Sequence, residues 1–171
     1  MQSERVAVQD LFQRVIDRHL PDIQRKQIGA DVAVDPATPP LVGSAARLEQ
    51  AIQNLAANAI RHMPEGGRLS LVGEPVPAGV RLIVRDTGPG ISAEHLPHIF
   101  GRFYKADGSR AGTKIPSGSG LGLSIVQAIV RHHGGEITAG NAAGGGAEFT
   151  ILLPAQETAT TERAYSLTDG R

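Results

Sequence analysis

The sequence predicts an α/β sandwich of the α+β kind, with helices covering one face of a mixed sheet. Three observations carry that expectation. Apolar residues recur at helical spacing in three segments and alternate at strand spacing in five others, and the two kinds interleave without the regular alternation of a doubly wound parallel sheet. The 171 residues are 40% hydrophobic and carry 17 Lys+Arg against 17 Asp+Glu, which suits one domain with room for a real core. The 21 glycines have no period of three and cluster at 66–67, 88–90, 108–122 and 134–146, between the patterned segments. They therefore mark turns and close approaches, not collagen or low complexity.

Composition excludes several classes of function. Zero net charge offers no polyanion partner, so no nucleic acid is expected. The absence of cysteine rules out disulfides, thiolate nucleophiles and cysteine-ligated zinc. No apolar run approaches the roughly 20 residues of a membrane span. The opening Met1-Gln2-Ser3-Glu4-Arg5 has no basic stretch followed by an apolar run, so no secretory signal is expected.

Taken in order, Asp10 reads as the N-cap of a helix carrying Phe12, Val15, Ile16 and Leu20 at helical spacing, ended or bent at Pro21 or the turn beyond. Ile28 to Val34 alternates as a strand closed by Asp35-Pro36, and Pro36 to Pro40 is a connector. Ser44 can cap a long helix from Ala45 to about His62, with Leu48, Ala51, Ile52, Leu55, Ala56 and Ala59 as its apolar stripe. Beyond the turn Pro64-Glu65-Gly66-Gly67, Arg68 to Val72 and Gly79 to Arg85 read as a hairpin joined by a loop containing Pro75 and Pro77. Leu121 to His133 is a second strong helix, ended by Gly134-Gly135 as a left-handed cap. Ile137 to Ala139 and Ala147 to Leu153 close the sheet around the turn at Gly144-Gly145-Gly146. The glycines at 66–67, 134–135 and 144–146 read as ordinary turns and caps. Residues 155–171, rich in Thr, Ala and Glu, read as a disordered tail after a domain spanning 1–154.

Three segments combine glycine with polar residues at fixed spacing. On the long helix, Asn54, Asn58, Arg61 and His62 share one side, where amides and a cation can hold a hard metal ion through oxygen and grip a phosphate. The same pattern also suits a solvated polar face. Asp86-Thr87-Gly88-Pro89-Gly90-Ile91 follows a strand: a carboxylate there can accept an exocyclic amine, and the glycines let backbone approach a planar ligand. A plain turn has the same composition. Ser117-Gly118-Ser119-Gly120-Leu121-Gly122-Leu123 runs into a helix N-terminus, which is a phosphate cradle. It is neither a Walker A loop nor a dinucleotide fingerprint. Between the last two lies Phe100-Gly101-Arg102-Phe103-Tyr104-Lys105, an aromatic anchor at the base of a basic loop holding Lys105, Arg110 and Lys114. His95 and His98 lack a third metal ligand nearby and suit a surface role.

In order and spacing, the series N-x-x-x-N-A, D-x-G-x-G-I, F-x-x-F-Y and G-x-G-L-G-L resembles the asparagine, first glycine, phenylalanine and second glycine boxes of the catalytic ATP-binding domain of sensor histidine kinases, in the GHKL/Bergerat superfamily. Arg47-Leu48-Glu49-Gln50, His133-Gly134-Gly135, Phe149 and Pro154 extend the match to about residues 6–154. The resemblance implies a Bergerat fold with a mobile ATP lid. It implies that Asn58 holds Mg²⁺ at the phosphates with Asn54 in support, that Arg61 and His62 contact phosphate or ribose, and that Asp86 receives the adenine amino group. Gly88, Gly90 and Ile91 would shape the adenine slot. Tyr104, Lys105 and Arg110 would belong to the lid side, with Lys105 where the family usually has arginine. Gly118, Ser119, Gly120, Leu121, Gly122 and Leu123 would cradle phosphate and start the helix. Asn58, Arg61 and Lys105 would be the catalytic set.

Hydrolytic relatives with this fold place a glutamate four residues before the metal-binding asparagine. Here that residue is Asn54, which favours transfer to a presented nucleophile over hydrolysis. The implied nucleophile is a histidine on a separate dimerisation domain, because none of the six histidines sits in a phosphoacceptor box. A response regulator would follow downstream. The chain would then be an excised catalytic domain on the cytoplasmic side of a parent anchored in the plasma membrane, with no membrane contact of its own. Two other readings stay open: a nucleotide-binding regulatory module without transfer, and a Bergerat-type serine kinase.

Overall fold

A computed structural model of the chain describes residues 2–102, 104 and 122–155. In chain order its elements are β1 (Glu4–Val6), α1 (Val8–Arg25), β2 (Gly29–Val34), β3 (Leu41–Gly43), α2 (Ala45–His62), β4 (Arg68–Val76), β5 (Gly79–Asp86), a 3₁₀ turn (Leu96–His98), α3 (Gly122–His132), β6 (Glu136–Asn141) and β7 (Ala147–Pro154). Five strands form one sheet in the order β2-β4-β5-β7-β6, and β1 pairs with β3 in a small separate sheet. The large sheet is mixed: β2 runs parallel to β4, and every other neighbouring pair is antiparallel.

Strand alternation decides which face is covered. Leu69 and Leu71 of β4, Val80, Leu82 and Val84 of β5, and Phe149, Ile151 and Leu153 of β7 all point to one face, and none is more than 5% exposed. Against them α1 brings Leu11, Phe12 and Val15, α2 brings Leu48, Ile52 and Leu55, and α3 brings Val126, Ile129 and Val130. Each such side chain contributes about 1.5–3 kcal/mol through burial. α2 is the middle helix and packs on both α1 and α3. The opposite face carries cross-strand ion pairs, Arg85 with Glu148 at 2.7 Å and Arg81 with Glu74 at 2.8 Å. This is the sandwich that the interleaved pattern predicts, with helices on one side only.

Several local features differ from the sequence expectation. α1 begins three residues earlier than an Asp10 cap allows: Ala7 is the N-cap, and Asp10 lies in the first turn, where a carboxylate suits the positive end of the helix dipole. The helix start follows the buried side chains of Val8 and Leu11 instead. Of the two ends the sequence allowed, α1 takes the later one, running through Pro21 to Arg25 and the turn beyond it. Pro21 is on the solvent side, so water can satisfy the carbonyl that loses its partner, and Ile23 beyond it is buried in the core. β3 falls between the connector at Pro36 to Pro40 and the Ser44 cap, where no element was read, and its register with β1 puts Val6 opposite Leu41, both buried. β4 continues through Pro75, because beyond Gly73 it has no neighbour on the β2 side and a one-sided strand tolerates a missing N–H. α2 occupies the expected Ala45–His62, with the Ser44 hydroxyl accepting from the Arg47 N–H at 3.3 Å. Gly134 adopts φ +74° and ends α3 as expected. Residues 156–171 of the expected tail at 155–171 and the lid positions Lys105, Arg110, Lys114 and 118–121 lie outside the described residues.

Two polar clamps hold α2 in place. The Lys26 ammonium, just after α1, donates to the carbonyls of Ile60 at 2.7 Å, Met63 at 3.1 Å and Arg61 at 3.3 Å, which puts a cation on the negative end of α2. At the other end, the Ser44 N–H donates to His133 Nε2 at 3.2 Å. Nε2 is therefore an acceptor, so the neutral ring carries its proton on Nδ1 and donates it to the Ile129 carbonyl at 2.8 Å. Gly43 is fixed by the same contact, since a Cβ there would collide with the His133 ring.

His19, on α1, has a buried Nε2 without a hydrogen-bond partner among the described residues. Burial lowers its pKa below the usual 6.5, and the Gln53 backbone and Asp22 only partly oppose that. With the folded value depressed, the unfolded chain binds the proton first as pH falls. Stability should thus be complete above about pH 6.5 and fall as pH drops toward the folded value. Urea midpoints at pH 7 and pH 5 should differ more in the native sequence than in His19→Leu, and equal differences would exclude this role. Lys26→Met should lower unfolding free energy by about 1–3 kcal/mol with an unchanged m-value, as expected for removing charge-assisted bonds at a helix end.

Candidate functional site

The site is built where β5 ends. Asp86 closes that strand and is 6% exposed, the one buried charged side chain among the described residues. Its Oδ1 accepts from the Gly88 N–H at 2.9 Å and from the Ala147 N–H at 3.1 Å. Its Oδ2 takes no hydrogen bond from a described residue, so one oxygen of a fixed carboxylate is left for a donor from outside.

The backbone after Asp86 is pinned on every side. Thr87 Oγ1 accepts from the Arg68 N–H at 2.8 Å and lies 3.9 Å from the Met63 sulfur. Gly88 sits against the end of α2, where a Cβ would come within 3.4 Å of the His62 carbonyl and 3.6 Å of Met63 Cγ. Gly90 has φ +77°, so its glycine is required by conformation. At Ile91 the chain meets Asn141 of β6 in two hydrogen bonds, N–H to Oδ1 at 2.7 Å and Nδ2 to the carbonyl at 2.8 Å.

α2 forms the opposite wall. Asn54 and Asn58 are half-buried, one helical turn apart, and Asn54 Nδ2 donates to the Gly122 carbonyl at 3.4 Å, which joins α2 to the first turn of α3. Asn58 has no hydrogen bond with a described residue, and its amide oxygen is a hard donor of the kind that suits Mg²⁺. Arg61 and His62 are exposed in the last turn of α2. Leu123 follows Gly122 at the start of α3 and packs partly on the core. Tyr104 is half-buried, with its hydroxyl in a short hydrogen bond to His95 Nδ1 and its ring 5.5 Å from that of His98. The two histidines thus flank an aromatic ring, and no group of three metal-ligating side chains occurs among the described residues.

Of the residues singled out in the sequence, the structure brings Gly88 against the end of α2 and Asn54 against Gly122. Lys105, Arg110, Gly118, Ser119, Gly120 and Leu121 lie outside the described residues. Two residues of this neighbourhood were missed. Asn141 gives no sequence signal, being one polar residue at a strand end. Gly146 was read as an ordinary turn, but at φ +90° it lies so close to the Asp86 backbone that a Cβ would collide with the Asp86 carbonyl oxygen. Its three-glycine context could have suggested a close approach.

A family model described as histidine kinase-, DNA gyrase B-, and HSP90-like ATPase matches residues 43–157, which includes α2, the Asp86 loop and the closing strands. The chain belongs to this ATPase family. The signal transduction histidine-protein kinase AfsQ2 of Streptomyces coelicolor is 48% identical over 108 residues, 63% of this chain. The match spans only 19% of AfsQ2. Among solved structures, the catalytic domain of histidine kinase ThkA superposes with a TM-score of 0.78 at 28% identity, covering 90% of this chain and 98% of that one. ThkA in complex with response regulator protein TrrA gives 0.74 at 25% identity, covering 89% of this chain and 41% of that one. Full-length ShkA in complex with AMPPNP gives 0.78 at 31% identity, covering 90% of this chain and 31% of that one. The domain is thus of the histidine-kinase catalytic, ATP-binding type, and its mixed sheet with one helical layer is the fold of those structures. No helix among the described residues is long and apolar enough to cross a membrane.

Gly146→Ala should destabilise the domain by more than about 1 kcal/mol, because it adds both a positive-φ penalty and a collision with the strand end that carries Asp86. Gly140→Ala, one residue before Asn141, meets nothing within 4 Å and should stay within about 0.5 kcal/mol of the native sequence. Equal thermal shifts for the two would show that the close approach at Gly146 is unimportant.

Proposed function

We propose that this domain binds Mg-ATP and transfers its γ-phosphoryl group to a histidine on a separate dimerisation domain, as the catalytic part of a two-component sensor kinase. One observation carries the reading: Asp86, buried at the head of a braced loop, keeps one carboxylate oxygen without a partner among the described residues, next to a helix whose Asn58 amide is likewise without one. The first suits the exocyclic amine of adenine, and the second suits a metal ion at the phosphates. Gly88, Gly90 and Ile91 frame the base. Arg61, Lys105 and Arg110 supply positive charge toward the phosphates and His62 contacts phosphate or ribose, with Tyr104 at the base of the lid and Gly118, Ser119, Gly120, Leu121, Gly122 and Leu123 offering backbone N–H groups at the start of α3. Mg²⁺, held through Asn58, would neutralise phosphate charge.

In the transfer, an imidazole nitrogen of the presented histidine forms a bond to the γ-phosphorus while the bond to the β–γ bridging oxygen breaks, and ADP leaves. The chain's part is to orient ATP and keep water from competing. Asn54 supports this division, because an amide cannot accept the proton of an attacking water as a carboxylate can. A response regulator would then take the phosphoryl group, a role supported by the ThkA–TrrA complex. The parent protein would be anchored in the plasma membrane with this domain on the cytoplasmic side. We place the functional domain at residues 1–154 and regard 155–171 as a tail outside it.

Incubation with labelled ATP, Mg²⁺ and the parent's dimerisation domain should give an acid-labile phosphoprotein. Acid-stable label would point to a serine kinase, and ATP binding without label to a regulatory module. Asn58→Ala should weaken Mg-ATP binding and transfer at least 10-fold with the fold intact; unchanged binding and transfer would refute the metal assignment.

A further inference from the structure

We infer that Asn141 is a positioning residue that sets the preference for adenine by holding the far end of the Asp86 loop, an inference that rests on the ATP-binding reading above. The loop from Asp86 to Ile91 is tied at both ends to a single rung of the β6–β7 ladder. Asn141 and Ala147 are cross-strand partners in that ladder. The Ala147 N–H donates to Asp86 Oδ1 at 3.1 Å, at the start of the loop. Asn141 holds the end of it through Ile91, accepting from its N–H at 2.7 Å and donating to its carbonyl at 2.8 Å.

The side-chain amide reproduces the paired donor and acceptor of an antiparallel strand neighbour, and it does so from the last rung of the β6–β7 ladder. Few residues could replace it. Aspartate keeps the acceptor but turns lone pairs toward the Ile91 carbonyl, serine reaches with one polar atom, and alanine with none. The loop is fitted to this amide: a Cβ on Gly90 would lie 2.6 Å from Asn141 Oδ1. With the two ends fixed to one rung, Gly88, Pro89 and Gly90 keep a set distance from the unpaired oxygen of Asp86.

That distance is what discriminates bases. Adenine presents an amine to the carboxylate, whereas guanine presents a carbonyl at the same place, and a carboxylate rejects it only if neither can move aside. Freeing Ile91 gives the loop room to shift, so affinity for ATP falls and the penalty on GTP shrinks with it.

The test is calorimetric titration of the chain with Mg-ATP and Mg-GTP, together with hydrogen exchange of the Ile91 amide. Asn141→Ala should weaken ATP binding about 5- to 10-fold, reduce the ATP-over-GTP preference by a similar factor and speed exchange at Ile91. Asn141→Asp should behave like alanine, and Asn141→Ser should fall between. Because Asn141 is exposed at a strand end, the thermal midpoint should move little, which separates this role from a structural one. Unchanged ATP affinity and base preference in Asn141→Ala, with Ile91 exchange accelerated, would overturn the inference and leave the ATP-binding reading standing. Absence of ATP binding by the native chain would overturn both.

Discussion

A carboxylate kept out of water at the end of a core strand is the constraint on which the rest of this structure depends. Asp86 follows Val84 and Leu82 on the covered face of β5, and its environment is almost as closed as theirs. Left without partners there it would be costly, because a buried polar group without hydrogen bonds loses several kcal/mol. Two backbone N–H groups relieve that cost at Oδ1, and each brings a segment with it: Gly88 folds the following loop back, and Ala147 brings the first residue of β7 alongside. Glycine at 146 then becomes necessary, because the preceding backbone must pass against the Asp86 carbonyl. The turn between β6 and β7 therefore braces Asp86 as well as connecting two strands.

The helical wall is held by a different device. α2 carries the two amides on its exposed side and buries Leu48, Ile52 and Leu55 on the other, but burial alone fixes a helix poorly along its own axis. The Lys26 ammonium at its last carbonyls and the His133 ring at Ser44 supply that axial constraint. Both clamps come from neighbouring elements, Lys26 from the end of α1 and His133 from the end of α3. The three helices are thus tied at their termini as well as along their faces. Gly88 packed against the end of α2 then sets the position of the Asp86 loop relative to that helix.

Much of this was legible in the chain. The stripe from Leu48 to Ala59, the Ser44 cap and the Gly134 terminator give α2 and the end of α3 directly, because periodicity and capping are local properties. The spacing of Asn54 and Asn58 and Asp86 with its glycines give the two walls that the described residues form, since each motif places its chemistry within a few residues, while the glycine run at 117–121 lies outside the described residues. What escaped depends on contacts across the fold. β3 is three residues long, too short for a period, and exists because β1 lies beside it. Pro75 looks like a loop residue until the sheet order shows that β2 has already ended. Asn141 and Gly146 acquire their roles from Ile91 and Asp86, more than 49 positions away in sequence, and no local pattern can report that.

One side chain on α2, Asn54, bears on the proposed transfer of phosphate in place of ATP hydrolysis. Asn54 does more than lack the basicity of a glutamate. Its Nδ2 donates to the Gly122 carbonyl, so the position demands a donor facing the first turn of α3. An ionised carboxylate would turn lone pairs toward that carbonyl and repel it, pushing the α3 N-terminus away from α2. Restoring a base at 54 would therefore disturb the start of α3. The choice of asparagine ties two properties to one side chain: the absence of a general base for water, and the closeness of the two helices between which the phosphates would lie.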